Sequence, residues 1–139
     1  LFYEGPVGNH SFTNFEVKAL IKTQEGANSG LFICTAFQDT GWPSQGYEIQ
    51  VNNSHTDWRR TASLYGIIDT AEKLVHDEEW FELYVKVEGK HITTKINGRT
   101  VVEYDEPADK KRIQPGTIAI QAHDPKSRIA YKSVQVFVH

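Results

Sequence analysis

From Phe15 onward, apolar and polar side chains trade places at nearly every second position: Phe15, Val17, Ala19 and Ile21 alternate with Glu16, Lys18 and Leu20. That period belongs to a strand with one buried face. It returns with Leu31, Ile33 and Thr35 against Phe32, Cys34 and Ala36, and with Tyr47, Ile49 and Val51 against Glu48, Gln50 and Asn52. A fourth segment sets Phe81, Leu83, Val85 and Val87 against Trp80, Glu82, Tyr84 and Lys86. Turn chemistry sits where the alternation breaks. Glu88-Gly89-Lys90 separates two strands, and Asn97-Gly98 is a strong two-residue hairpin signal before Thr100 to Tyr104. Pro115-Gly116 opens a strand through Ile118 and Ile120, and Asp124-Pro125 turns the chain into Ile129 to Val138. Only Thr70 to Glu79 is compatible with a short helix.

About eight strands with short turns predict an all-β fold, an antiparallel two-sheet β-sandwich or jelly roll, with a barrel as the structural alternative. The 139 residues contain no linker, repeat or low-complexity run and read as one domain over 1–139. No Met is present, so Leu1 is not an initiator and the expectation is a domain lacking an N-terminal segment of a longer parent chain. Cys34 is the sole cysteine, which excludes an internal disulfide and a multi-cysteine zinc site.

Charge narrows the partners. With a net charge of -3 and no basic run longer than Lys110-Lys111-Arg112, the chain lacks a phosphate-tracking surface, so nucleic acid is not expected. No apolar run approaches the roughly 18 to 20 residues that a membrane-spanning helix needs, so no membrane insertion is expected. The glycine-rich nucleotide loops, the HExxH zinc motif and the GxSxG elbow are all missing.

What remains is polar chemistry on strand faces. Glu48, Gln50 and Asn52 share one face at intervals of about 7 Å, two strand residues apart. A carboxylate and amides beside aromatic rings match the hydroxyls and CH faces of a pyranose, and the same row also fits an ordinary solvated sheet surface. Gln121 and His123 share a face at the end of Ile118 to His123, which sets an imidazole beside a turn. The longest loops, Gln38 to Gly46, Asn53 to Thr61 and Pro107 to Gln114, are where function concentrates in small sandwiches. Trp42 and Trp58 lie in them as stacking platforms or lids, whereas Trp80, at a strand start, is expected in the core. Cys34 reads as a small buried residue rather than a nucleophile, since no base is spaced beside it.

The ordered set Asn28-Ser29-Gly30-Leu31-Phe32, Gly46-Tyr47-Glu48-Ile49-Gln50, Thr61-Ala62-Ser63-Leu64-Tyr65, Glu79-Trp80, Ile96-Asn97-Gly98 and Gly116-Thr117-Ile118-Ala119-Ile120-Gln121-Ala122-His123 resembles the 3-keto-disaccharide hydrolase domain family. The likeness runs from about Phe15 to Val136. It implies a concanavalin-like jelly roll and a glycosyl hydrolase acting on sugars oxidised at C3, where one base removes the C2 proton and the glycosidic oxygen leaves from C1 before water adds. By resemblance, Glu48 and His123 are the acid/base candidates, and Gln50, Asn52, Arg60, Tyr65, Gln121 and Trp42 the substrate-binding ones. A divalent metal is a candidate Lewis acid for the ketone, although no local spacing supplies ligands for it. The alternative is a non-catalytic carbohydrate-binding module of a larger secreted enzyme, with other domains of the parent chain as partners. A structural sandwich is the third. The resemblance also implies a bacterial periplasmic or secreted protein. Two positions depart from the family pattern: Cys34, where relatives commonly carry a polar residue, and Ala122, where they commonly carry Asp.

Overall fold

The computed structural model describes residues 1–139 and is all-β apart from a short 3-10 turn at Val7–His10. Eight strands follow: β1 (Phe15–Thr23), β2 (Ser29–Thr35), β3 (Tyr47–Val51), β4 (Phe81–Glu88), β5 (His91–Ile96), β6 (Arg99–Asp105), β7 (Thr117–Ile120) and β8 (Ile129–Val138). They form two antiparallel sheets, a five-stranded one in the order β6-β5-β4-β1-β8 and a three-stranded one in the order β3-β2-β7. The two-sheet sandwich is therefore as the alternation predicts, and the barrel alternative falls away. Asn97 and Gly98 both adopt positive φ, 48° and 81°, as a two-residue hairpin between β5 and β6 requires.

The core lies between the sheets. Phe15, Val17, Ala19 and Ile21 of β1 and Phe81, Leu83, Val85 and Val87 of β4 meet Leu31, Ile33, Tyr47, Ile49 and Val51 from the smaller sheet. The small sheet is widened at both sides by backbone bridges, Ile49 with Leu64 beyond β3 and Phe2 with Ala119 beyond β7. Its inner face is spent on this packing, which leaves its outer face free to carry polar groups.

Three expectations are corrected. Thr70 to Glu79 is not helical. A ten-residue helix has little intrinsic stability, and here the backbone finds partners elsewhere: Arg60 N–H donates to the Thr70 carbonyl, Thr70 N–H to Ser63 Oγ and Glu78 N–H to the Thr23 carbonyl. Trp80 is 43% exposed, because Phe81 takes the core side of β4 and alternation sends its neighbour outward. There its ring lies beneath the ammonium groups of Lys22, at 5.2 Å, and Lys132, at 5.9 Å. Cys34 does not share the face of Phe32. A φ of 54° places it in a bulge where the β2–β7 register shifts, so Ile33 and Cys34 both turn into the core.

The bulge explains a glycine. Gly46 sits at φ 79°, and a Cβ there would lie 2.0 Å from the Ile33 carbonyl oxygen, so both conformation and space exclude a side chain. Gly89, in the β4–β5 turn, has φ 60° but open space around it. Gly46→Ala is therefore expected to destabilise the fold by more than about 3 kcal/mol, and Gly89→Ala by about 1 kcal/mol, in urea denaturation. Equal effects would contradict this reading of the bulge.

Candidate functional site

The β2–β3 register sets Phe32 opposite Glu48 and Gly30 opposite Gln50, all on the outer face of the small sheet. β7 continues past Ile120, because Gln121 N–H donates to the Gly30 carbonyl at 2.9 Å and Ser29 Oγ–H to the Gln121 carbonyl at 2.8 Å. Gln121 thereby joins the same face, with His123 beside it. On the other side, the backbone of Tyr65 is tied to β3 by its N–H bond to the Glu48 carbonyl. These strands floor a cavity of about 530 Å³.

The long loops build its walls. Asn52 anchors the second of them: its Nδ2 donates to the Asp57 and Arg59 carbonyls, both at 2.8 Å, and its Oδ1 accepts from His55 N–H and the Arg60 guanidinium. Arg60 also donates to the His55 and Asp57 carbonyls, at 3.0 and 2.7 Å. The result presents Asp57 to the cavity, its carboxylate bound by Tyr65 Oη–H at 3.0 Å and by Arg59. Arg59 lies over the rings of Trp58 and Tyr65, at 5.0 and 4.7 Å.

The third loop hangs from Glu106. This fully buried carboxylate accepts from Tyr47 Oη–H at 2.7 Å, Lys90 Nζ at 3.0 Å, Arg112 N–H at 3.0 Å and Ile113 N–H at 2.9 Å. Burial alone would raise its pKa, but these donors outweigh it and hold the carboxyl below the usual range. Arg112 is delivered to the cavity with its guanidinium 4.2 Å from the Tyr47 ring centre and Nε–H donating to the Gly46 carbonyl at 2.9 Å. Gln38 folds the first loop by bonding Thr40, Trp42 and Ser44, and Trp42 meets the His123 ring edge-on at 4.5 Å.

Inside the cavity the polar groups are unusually free. Gln50 is 1% exposed and its Oε1 has no hydrogen-bond partner within the protein, and Asn28 Oδ1, also on the lining, is likewise buried without one. The Glu48 carboxylate makes no ion pair; it occupies the space left by Gly30, where a Cβ would come within 2.4 Å of Glu48 Oε1. Burial, aided by the Asp57 charge, raises the Glu48 pKa from 4.5 to about 7. Asp57 goes the other way. Its own burial is outweighed by the Arg59 N–H, the Tyr65 hydroxyl and the Arg59 guanidinium, so it stays ionised below the ordinary range. Two carboxyls whose values are pushed apart in one cavity are equipped for different protonation roles at neutral pH. The Gln121 amide donates to His123 Nδ1 at 3.2 Å, which places the proton of the neutral imidazole on Nε2.

Six of the eight residues singled out from sequence therefore line one cavity: Glu48, His123, Gln50, Tyr65, Gln121 and Trp42. Asn52 and Arg60 do not; they are consumed in holding the Asp57 loop. Asp57, Arg112 and Asn28 were missed. Asn28 stands in the quoted Asn-Ser-Gly motif, and Arg112 closes the basic triplet, but neither position signals that its loop folds over the sheet. Position 34 faces the core, so a polar side chain there would not reach the cavity, and burial pushes the Cys34 thiol up to about 11. No three His, Cys, Asp or Glu side chains gather as a metal site. The side chains lining the cavity thus offer no such ligand cluster for the divalent ion considered above as a Lewis acid.

The sequence profile of the 3-keto-alpha-glucoside-1,2-lyase-like domain family matches residues 7–136. The chain belongs to this family. Membership covers every cavity residue named above. Among solved structures, a protein from Parabacteroides distasonis ATCC 8503 titled "Putative glycosyl hydrolase" superposes with a TM-score of 0.73 at 21% identity, covering 94% of this chain and 81% of that one. A second structure of the same description and organism gives 0.76 at 20% identity, over 91% and 72% of the two chains. The carbohydrate-binding module CBM66 from Bacillus subtilis gives 0.67 at 12%, over 91% and 76%. At these identities the likeness establishes the shared sandwich fold. A search of curated proteins finds no match. The chain is thus a carbohydrate-related domain of the 3-keto-alpha-glucoside-1,2-lyase-like family.

The Glu48 environment carries a pH signature. Between pH 4.5 and about 7 the folded protein keeps a proton that the unfolded chain has released, so this group makes stability fall as pH rises through that window. Wild type is expected to lose on the order of 2 kcal/mol more than Glu48→Gln between pH 4.5 and pH 8, in paired urea titrations. Parallel pH profiles for the two proteins would refute a raised Glu48.

Proposed function

We propose that this domain cleaves 3-keto glycosides by elimination, with Glu48 as the proton-transferring group. The observation that carries the reading is the Glu48 carboxyl itself: unpaired, partly buried, raised to about 7, and set in a cavity with Arg112 and His123. A group titrating near neutral pH both accepts and returns a proton readily. The family description, a 1,2-lyase acting on 3-keto-α-glucosides, points to the same chemistry.

The C3 ketone acidifies the C2 hydrogen. Glu48, as carboxylate, takes that proton, and the C2–H electron pair moves toward the ketone, whose oxygen gains negative charge. Arg112 faces this charge, because its only hydrogen bond from the guanidinium to the protein uses Nε–H and leaves both NH2 groups for a ligand. The pair then returns to form the C1=C2 bond as the C1–O bond breaks. The leaving oxygen receives the proton from Glu48 while hydrogen-bonded by His123 Nε2–H. Addition of water across C1=C2, oxygen to C1 and hydrogen to C2, completes a net hydrolysis. Gln50 Oε1 and Asn28 Oδ1 supply acceptors that sugar hydroxyls satisfy.

A binding module without turnover is the second reading, favoured by the fold shared with CBM66 and by the exposed Trp42 at the cavity mouth. The two separate in one assay. Purified protein incubated with a 3-keto-α-glucoside is expected to release the aglycone, and Glu48→Gln to lower kcat by 10² or more with the substrate still bound. Saturable binding without any release would favour the module. Full turnover in Glu48→Gln would overturn the assignment of the base.

A further inference from the structure

A second hollow of about 230 Å³ adjoins the cavity. The two share a wall made of Phe32, Trp42, Pro43, Gln121 and His123, so a molecule extending from one into the other passes the Trp42–His123 pair. Their linings differ in kind. The cavity has charged walls and unsatisfied amide oxygens, with four hydrophobic residues among fourteen. The hollow has seven among eleven, with Gln121 and His123 as its polar side chains. Phe2 lines it, edge-on to Phe37 at 5.6 Å, and Ala122 is an exposed residue on its lining.

Resting on the elimination reading above, we propose that this hollow is the aglycone subsite and that it takes an apolar, planar group of the aryl class. Water in such a space has few polar partners, so an apolar group displaces it favourably. The volume corresponds to about seven or eight waters at liquid density, room for one or two fused rings. A second sugar would leave most of its hydroxyls without partners against Phe2, Phe32, Pro43 and Ala119. His123, on the shared wall, then stands where the glycosidic oxygen crosses from the polar cavity to the hollow, which matches its place beside the leaving group. Ala122 thereby becomes a specificity-determining position.

The test compares methyl 3-keto-α-glucoside with phenyl 3-keto-α-glucoside by calorimetry on Glu48→Gln protein, in which turnover is slowed, with and without Ala122→Asp. The phenyl compound is expected to bind at least tenfold tighter than the methyl one, and Ala122→Asp to bring that ratio close to one. Equal affinities in the parent protein would overturn the aglycone subsite while leaving the sugar reading standing. An undiminished ratio in Ala122→Asp would also overturn it, since the preference would then arise elsewhere. Binding of neither compound would overturn both readings together.

Discussion

The pairing of β2 with β3 decides what this domain can do. Gly30 faces Gln50 across the ladder and Phe32 faces Glu48, so the polar side chains of β3 stand outward while Tyr47, Ile49 and Val51 enter the core. A slip of one residue would send Glu48 and Gln50 among the apolar side chains and expose the core set instead, which packing forbids. Within the correct register, the missing side chain of Gly30 makes the hollow into which the Glu48 carboxyl folds. Depth without a partner follows from that hollow, and the raised proton affinity follows from depth.

Polar groups elsewhere in the molecule are treated differently. The Glu106 carboxylate gathers four donors, and the Asn52 amide uses both its oxygen and its nitrogen, so each loop rests on a satisfied buried group. On the cavity floor Gln50 Oε1 and Asn28 Oδ1 have none. An unsatisfied buried acceptor costs roughly 1 to 3 kcal/mol, and the fold carries that cost where a ligand's hydroxyls would recover it. The two satisfied anchors deliver a charge of each sign to the cavity, Asp57 from one and Arg112 from the other. Asp57 adds to the rise in the Glu48 pKa that burial sets, and the Arg112 guanidinium bonds the protein only through Nε–H.

Strand periodicity alone places β1, β3 and β4 and puts Glu48 and Gln50 on a common face, because alternation is a local property and burial enforces it. His123 is legible through its ordered motif, since it continues the alternation past β7. The errors share a cause: local rules do not follow the chain through irregular backbone. The positive φ of Cys34 resets the alternation within β2, the start of β4 at Phe81 turns Trp80 outward, and tertiary partners of Thr70 and Glu78 outcompete a helix. Asp57 and Arg112 reach the cavity on loops whose paths depend on Asn52 and on Glu106, the latter six residues before Arg112 in sequence, and no periodic signal records such an anchor. Asn52 and Arg60 show the converse: residue types suited to sugar hydroxyls whose hydrogen bonds the loop itself uses.

The chemistry proposed for this cavity stands on one proton equilibrium. Carbon-detected NMR titration of the Glu48 side-chain carboxyl, assigned by its loss in Glu48→Gln, reads that equilibrium directly in the intact protein. A midpoint of about 7, shifted downward in Asp57→Asn, is the predicted result. A midpoint at the ordinary 4.5, unmoved by loss of Asp57, would contradict the account.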